Sequence, residues 1–116
     1  MQRPVDPNDE ALRAVTPAFC DYTQQLLFEE IWERPGLSKR DRSLITIAAL
    51  VAMYRPDELG AQLERGLDNG LRREEIAEAM THLAFYAAWP SANSAVSKLM
   101  EVLDARDRAS REGWPA

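Results

Sequence analysis

The sequence predicts an all-α protein, a compact bundle of five to six helices, and three observations carry that expectation. Alanine (17) and leucine (13) dominate the 116 residues, while valine, isoleucine and threonine together number 13. This balance favours helices over strands. Apolar residues recur at three- and four-residue spacing in successive windows, as a helix with one buried side requires. Prolines and the Pro35-Gly36 and Asn69-Gly70 pairs fall between those windows, where helices start and stop.

Each element follows from local signals. The first eight residues hold two prolines and few apolar groups, so they read as a flexible lead-in before a short helical piece at Asp9 to Ala14. Thr16-Pro17 reads as an N-cap and a first-turn proline, opening a helix to about Trp32. Its apolar side carries Phe19, Tyr22, Leu26, Leu27 and Ile31, and Arg34-Pro35-Gly36 stops it. Ser38 caps the next helix, with Asp41 three residues on and an end near Tyr54. From Leu44 to Tyr54 every residue except Thr46 is apolar, which predicts a central helix surrounded by protein. Pro56, Asp57 and Glu58 suit a helix N-terminus, with Leu59, Leu63 and Leu67 as the buried stripe. After Asn69-Gly70 a further helix carries Ile76, Met80, Leu83 and Ala87 inward as far as Ala88. Trp89-Pro90 breaks it. A last helix from Ser91 to about Asp107 turns Ala92, Val96, Leu99 and Leu103 to the core, and residues 109–116 read as a loose tail.

Length and charge exclude several function classes. The size fits one domain over residues 1–116. Cys20 is the only cysteine, which rules out an internal disulfide framework and any CxxC motif. One thiol and one histidine leave no expected metal site. No apolar run reaches the ~20 residues of a membrane span, and MQRPVDPNDE has no signal-type apolar core, so the expected location is cytoplasmic. With 19 acidic against 14 basic side chains, net −5, and its arginines scattered, the chain is not expected to bind nucleic acid.

Two clusters stand out. His82 is the single histidine and the simplest general acid or base near neutral pH. Glu78, Phe85, Tyr86 and Trp89 fall three, four or seven residues from it, a stripe resembling a pocket wall. The plainer reading makes His82 a hydrogen-bonded helix-interface residue. Arg55, Glu58 and Gln62, at i, i+3 and i+7, can aim a guanidinium, a carboxylate and an amide at one ligand; the alternative is a solvated face or a helix-start salt bridge. Arg42, just before the apolar run, is a half-buried anion clamp on the same reasoning, whereas Arg40 is expected to be exposed. Gly60 and Gly66 inside a helix suggest close approach of another helix or subunit. Cys20 among apolar neighbours reads as an inert core residue.

The stretches IWERPGLSKRDRSLITIAALVAMYRPDEL and ERGLDNGLRREEIAEAMTHLAFYAAWPSANSA resemble the carboxymuconolactone decarboxylase family. The resemblance rests on W-x-R-P-G-L-S, R-D-R-S-L, A-A-L, R-x-x-E-L, N-G-x-x-x-x-E-I-x-E and H-L-A-x-Y-x-x-x-P, in order from Trp32 to about Ala95. It implies the alkylhydroperoxidase D-like helical fold, assembled as a homo-oligomer, a trimer or a hexameric trimer of dimers, with pockets near subunit contacts. It also implies a cofactor-free decarboxylation in aromatic catabolism, in which γ-carboxymuconolactone loses CO2 to give an enol-lactone. In the related peroxidase branch a C-x-x-C-x-x-x-H motif falls on Arg55, Glu58 and Gln62, so no thiol stands there and a thiol peroxidase is not expected. Members with the decarboxylase pattern read R-x-x-E-L-x-x-H, and Gln62 occupies that histidine position. Glutamine hydrogen-bonds but does not shuttle a proton near pH 7.

The implied roles are His82, Glu58 and Arg55 as the catalytic set. Arg42, Gln62, Glu78, Tyr86 and Trp89 contact a small carboxylated lactone or related acid. Arg55 or Arg42 holds the carboxylate, His82 donates a proton with Glu78 or Glu58 orienting it, Gln62 adds a hydrogen bond, and Tyr86 and Trp89 form a dry wall. Two other functions remain open: another lyase or isomerase step in the same pocket, and a non-catalytic oligomeric ligand-binding protein.

Overall fold

The computed structural model describes residues 6–112. Six α-helices and one π-helical stretch make up the described chain, with no strand among them. Helix α1 (Glu10–Val15) starts where the Asp9 carboxylate accepts from the backbone N–H groups of Ala11 (2.9 Å) and Leu12 (3.3 Å), the expected N-terminal cap. Residues 6–8, expected to be flexible, form a turn: Asp6 Oδ1 accepts from the N–H of Asn8 at 2.9 Å and Pro7 is buried. The rest of that lead-in, residues 1–5, lies outside the described residues.

Helix α2 (Pro17–Asp21) begins at Pro17, but Thr16 caps it in position only. Its hydroxyl donates back to the Leu12 carbonyl at 3.1 Å, so it closes α1 and leaves the α2 N–H groups uncapped. The single α-helix expected to reach Trp32 changes type at Tyr22. Tyr22–Ile31 is a π segment, with Trp32 N–H donating to the Leu27 carbonyl five residues back at 2.9 Å. Such wider turns shift side-chain register away from the 3.6-residue period on which a sequence reading depends.

The remaining helices form a four-helix core. Ser38 Oγ accepts from Asp41 N–H at 3.0 Å to start α3 (Lys39–Ala52). Helix α4 (Pro56–Asp68) takes Pro56 in its first turn, and Gly70, at φ +105°, provides the left-handed residue that follows its end. Helix α5 (Arg73–Tyr86) is secured by the Glu75 carboxylate accepting from the Arg72 N–H at 2.9 Å. Helix α6 (Trp89–Arg111) is longer than expected at both ends. Proline at its second position does not delay its start, and residues 109–111, expected in a loose tail, complete its last turn; residues 113–116 lie outside the described residues.

Helix α3 packs on α4, α5 and α6, and α6 also packs on α4 and α5. Between them lie Ile47, Val51, Leu59, Leu63, Ile76, Met80 and Leu99, each large aliphatic contributing about 1.5–3 kcal/mol by burial. Two expected core positions are corrected: Val96 and Ala87 are exposed, and Ala95 and Val102 are buried instead. Gly66 permits the closest approach, since a Cβ there would stand 3.0 Å from Ile47 Cδ1 and from Leu71 Cδ1. Gly60 has only ordinary clearance, 3.5 Å from Lys98. Across the same contact Asn69 Nδ2 donates to the buried Ser43 hydroxyl at 3.0 Å. Ion pairs fasten the ends, Arg73 to Asp107 at 2.9 Å and Arg106 to Asp68 at 3.2 Å.

Helix α3 is central without being surrounded. Ser43, Ile47 and Val51 are buried, but Ile45, Ala49, Ala52 and Met53 on its other side face outward. The N-terminal arm is more exposed still. No residue of the π segment is buried, Tyr22 is 67% and Leu26 46% exposed, and of α2 only Cys20 is buried, outside the main core cluster. The radius of gyration of 15.2 Å exceeds the roughly 13.4 Å typical of a chain this long, as expected for a bundle with an arm laid beside it.

Candidate functional site

The turn from α3 into α4 positions the first cluster. Tyr54 sits at φ +55°, a left-handed conformation that a bulky residue adopts at some cost, and it allows Arg55 N–H to donate to the Leu50 carbonyl at 2.9 Å. The chain reverses there, and Arg55 folds over the first turn of α4. Its Nη2 donates to Glu58 Oε1 at 2.6 Å and its Nε reaches Glu58 Oε2 at 3.4 Å. The hydrogen bond from Arg55 is the main reason Glu58 titrates below the usual carboxylate range, and Arg55 is raised in turn. Glu58 is therefore an acceptor at neutral pH and not a proton donor. Arg55 and Glu58 are brought together as the helix-start salt bridge that the sequence left open.

Gln62 follows one turn on, and its Oε1 is buried without a hydrogen-bond partner; the Nε of Arg42 is likewise buried and unpartnered. Such groups are rare in folded proteins because each costs about 1–3 kcal/mol. Arg42 is half-buried as expected, but its Nη2 donates to the Arg34 carbonyl at 3.1 Å, so part of the guanidinium already holds the loop before α3. Arg40 is not exposed as expected. It is half-buried and pairs with Asp41 at 3.1 Å and with Glu75, tying α3 to α5.

His82 lies on the outer side of α5, exposed, its ring stacked on Tyr86 with centroids 4.8 Å apart. Glu78, one turn earlier, is also exposed. Helix α5 ends at Tyr86, so Trp89 belongs to α6 and meets the stripe by packing edge-on against Phe85 at 5.5 Å. Tyr86 is 80% and Trp89 62% exposed, so within one chain they do not form the expected dry wall. The cleft lined by Arg55 is bounded by Leu50, Tyr54, Leu59, Ser91 and Ala95 and is too narrow for a water molecule. Neither Glu58, Gln62 nor His82 lines it. Trp89 lines a separate cavity of about 160 Å³ between α5 and α6, together with Met80, Thr81 and Asn93.

The structure adds residues that the sequence reading passed over. The Arg65 guanidinium carbon lies over the rings of Phe28 and Trp32, 4.3 Å and 5.3 Å from their centroids. Arg65 stands three residues after Gln62 and seven after Glu58, so helical spacing alone places it on their stripe. That the π segment would lie against that stripe had no local signal. Among the described residues no group of three or more His, Cys, Asp or Glu is arranged to hold a metal, and no helix is long and apolar enough to cross a membrane.

Residues 17–101 match the model of the carboxymuconolactone decarboxylase family. Over 101 residues the chain is 35% identical to the 4-carboxymuconolactone decarboxylase of Acinetobacter baylyi, covering 87% of this chain and 75% of that protein. Over 87 residues it is 37% identical to the nitrosuccinic acid decarboxylase of Metarhizium robertsii, covering 72% of this chain and 60% of that protein.

Proposed function

The chain belongs to the carboxymuconolactone decarboxylase family, and we propose that it is a cofactor-free decarboxylase of the γ-carboxymuconolactone type. One observation carries the reading: 35% identity across 87% of the chain with a protein named for that reaction. The chemistry common to both relatives supports it. A carboxylate on carbon conjugated to a lactone carbonyl, or on carbon bearing a nitro group, leaves as CO2 with its electron pair delocalised into the adjacent acceptor. The protein must then hold the charged group, stabilise the enolate-like product and return a proton.

In this proposal Arg55 or Arg42 holds a substrate carboxylate. For Arg55 that means exchanging Glu58 for the substrate, a swap between similar partners of an exposed side chain. His82 delivers the proton, because Glu58 is held in its ionised form and no other histidine exists. Glu78 or Glu58 orients the imidazole, and the Gln62 amide donates a hydrogen bond from Nε2 to a substrate oxygen. Tyr86 and Trp89 become a dry wall when a second copy of the chain covers the exposed α5 face, so the working unit is a homo-oligomer, a trimer or a hexamer, acting in the cytoplasm in the breakdown of aromatic compounds.

The test is CO2 release from γ-carboxymuconolactone. Wild type turns over and His82→Ala loses about 10²–10⁴-fold in kcat, the usual span for removing a general acid. Equal rates for the two proteins remove His82 from the mechanism, and absence of turnover by wild type overturns the decarboxylase assignment. Gln62 in the histidine position and the nitrosuccinic acid relative favour a second reading, a lyase step on a different small acid, which release of CO2 from nitrosuccinate but not from the lactone would select.

A further inference from the structure

Between the π segment and the C-terminal half of α4 lies a cavity of about 210 Å³, lined by Phe28, Trp32, Glu33, Lys39, Arg65 and Asn69. Its charges are unevenly matched. Lys39 pairs with Glu33 at 2.7 Å, whereas the Arg65 guanidinium has no hydrogen bond or ion pair with any described residue. The guanidinium carbon lies over the faces of both aromatic rings, and none of its N–H donors is bonded to another described residue, so they can serve a ligand. Burial lowers the Arg65 pKa, yet a guanidinium stays protonated in proteins, so among the described residues the pocket carries one uncompensated positive charge whose desolvation an anion would offset.

We propose that this cavity binds a small planar monocarboxylate, gripped by the N–H fork of Arg65, with its flat body against the edges of Phe28 and Trp32. The fork geometry matches two carboxylate oxygens. The pocket is open to solvent on one side, and its roughly 210 Å³ admits one unsaturated ring with its acid group. The aromatic side chains of Phe28 and Trp32 in the lining favour a flat organic acid over a hydrated phosphate. The site lies two turns along α4 from Glu58 and uses no residue of the proposed decarboxylation, so it stands or falls independently of that reading.

Calorimetric titration of the full chain with benzoate, its neutral analogue benzamide and inorganic phosphate tests the site. Benzoate binds wild type and His82→Ala equally, benzamide and phosphate bind neither, and Arg65→Gln weakens benzoate roughly tenfold or more. Arg65→Lys keeps the charge without the fork and weakens benzoate by a smaller factor. If Arg65→Gln loses helical circular dichroism, the lysine variant decides. No heat with benzoate, equal affinity in the Arg65 variants, or phosphate binding as well as benzoate overturns the proposal. So does a fall in oligomeric mass on Arg65→Lys, which would assign the guanidinium to an acidic group of a second copy.

Discussion

The N-terminal arm and the four-helix core have similarly apolar sequences and opposite fates. In the core, Leu63, Ile76 and Met80 are fully buried, because α3 to α6 turn their stripes toward one another. In the arm, Phe19, Tyr22, Leu26 and Ile31 repeat at similar spacing yet stay 53%, 67%, 46% and 38% exposed. Its anchorage to the core includes the stacking of Phe28 and Trp32 on Arg65. The difference teaches that an apolar stripe specifies a need for cover and not its source. Exposed apolar surface this extensive marks an interaction face, and with the outward side of α3 it accords with the proposed assembly of several copies.

The largest effect expected to break or sharpen this contrast comes from truncating a side chain in each region. Met80→Ala should cost about 2–5 kcal/mol by urea unfolding, the range for emptying a packed core site. Leu26→Ala, measured on the dissociated chain, should cost less than about 1 kcal/mol because that side chain keeps much of its water contact. Comparable losses would show that the arm is as much a part of the folding unit as the core. Next in size is Gly66→Ala. Helix propensity favours alanine by up to about 1 kcal/mol, but the added methyl meets Ile47 and Leu71 at 3.0 Å, and overpacking of about 1–3 kcal/mol outweighs it. A stabilised variant would mean that α3 and α4 separate easily.

Leu26→Glu places a charge on the arm's open face. It should lower the mass seen by light scattering while leaving the single chain's helical signal unchanged, and an unaltered mass would remove the arm from the proposed subunit contact. The smallest effect concerns pH. Asp107 is held below its usual range by the hydrogen bond and charge of Arg73, and Glu75 by the Arg72 backbone N–H and by Arg40. Depressed folded-state values mean that these links stabilise above the unfolded carboxylate range, about pH 4, and are lost as pH falls through the lower folded values. Asp107→Asn should flatten that acid-side loss in the urea midpoint, only slightly because the pair is solvent-screened.

Legibility followed the range of the forces involved. Ser38, Pro56 and Gly70 act within a turn of themselves, and each marked a helix end that the structure shares. The stripe Leu59, Leu63 and Leu67 was readable for the same reason. Thr16 was misread because its hydroxyl, which as an N-cap would accept from an α2 backbone N–H, instead donates to the Leu12 carbonyl. Tyr54 in a left-handed turn carried no signal, since glycine or asparagine is the residue that advertises such a bend. For the candidate site, Arg55 with Glu58 and His82 with Tyr86 were visible as same-helix spacings. Their separation onto different faces, Arg55 and Glu58 at the start of α4 and His82 and Tyr86 on the outer side of α5, was not, because it depends on how helices meet.

By itself the sequence determined the helical class, most of the helix ends, the residues of the core stripes and, through motifs in register, the family. Those properties come from local backbone preference and from short-range periodicity, which are encoded within a few residues. Only the tertiary structure decided that α3 is covered on one side, that Arg40 ties α3 to α5, and that Phe28 and Trp32 meet Arg65, whose guanidinium has no other partner among the described residues. The last two join residues more than 30 positions apart, and all three are set by the packing of whole helices, where the loss of water from a shared surface outweighs any local preference.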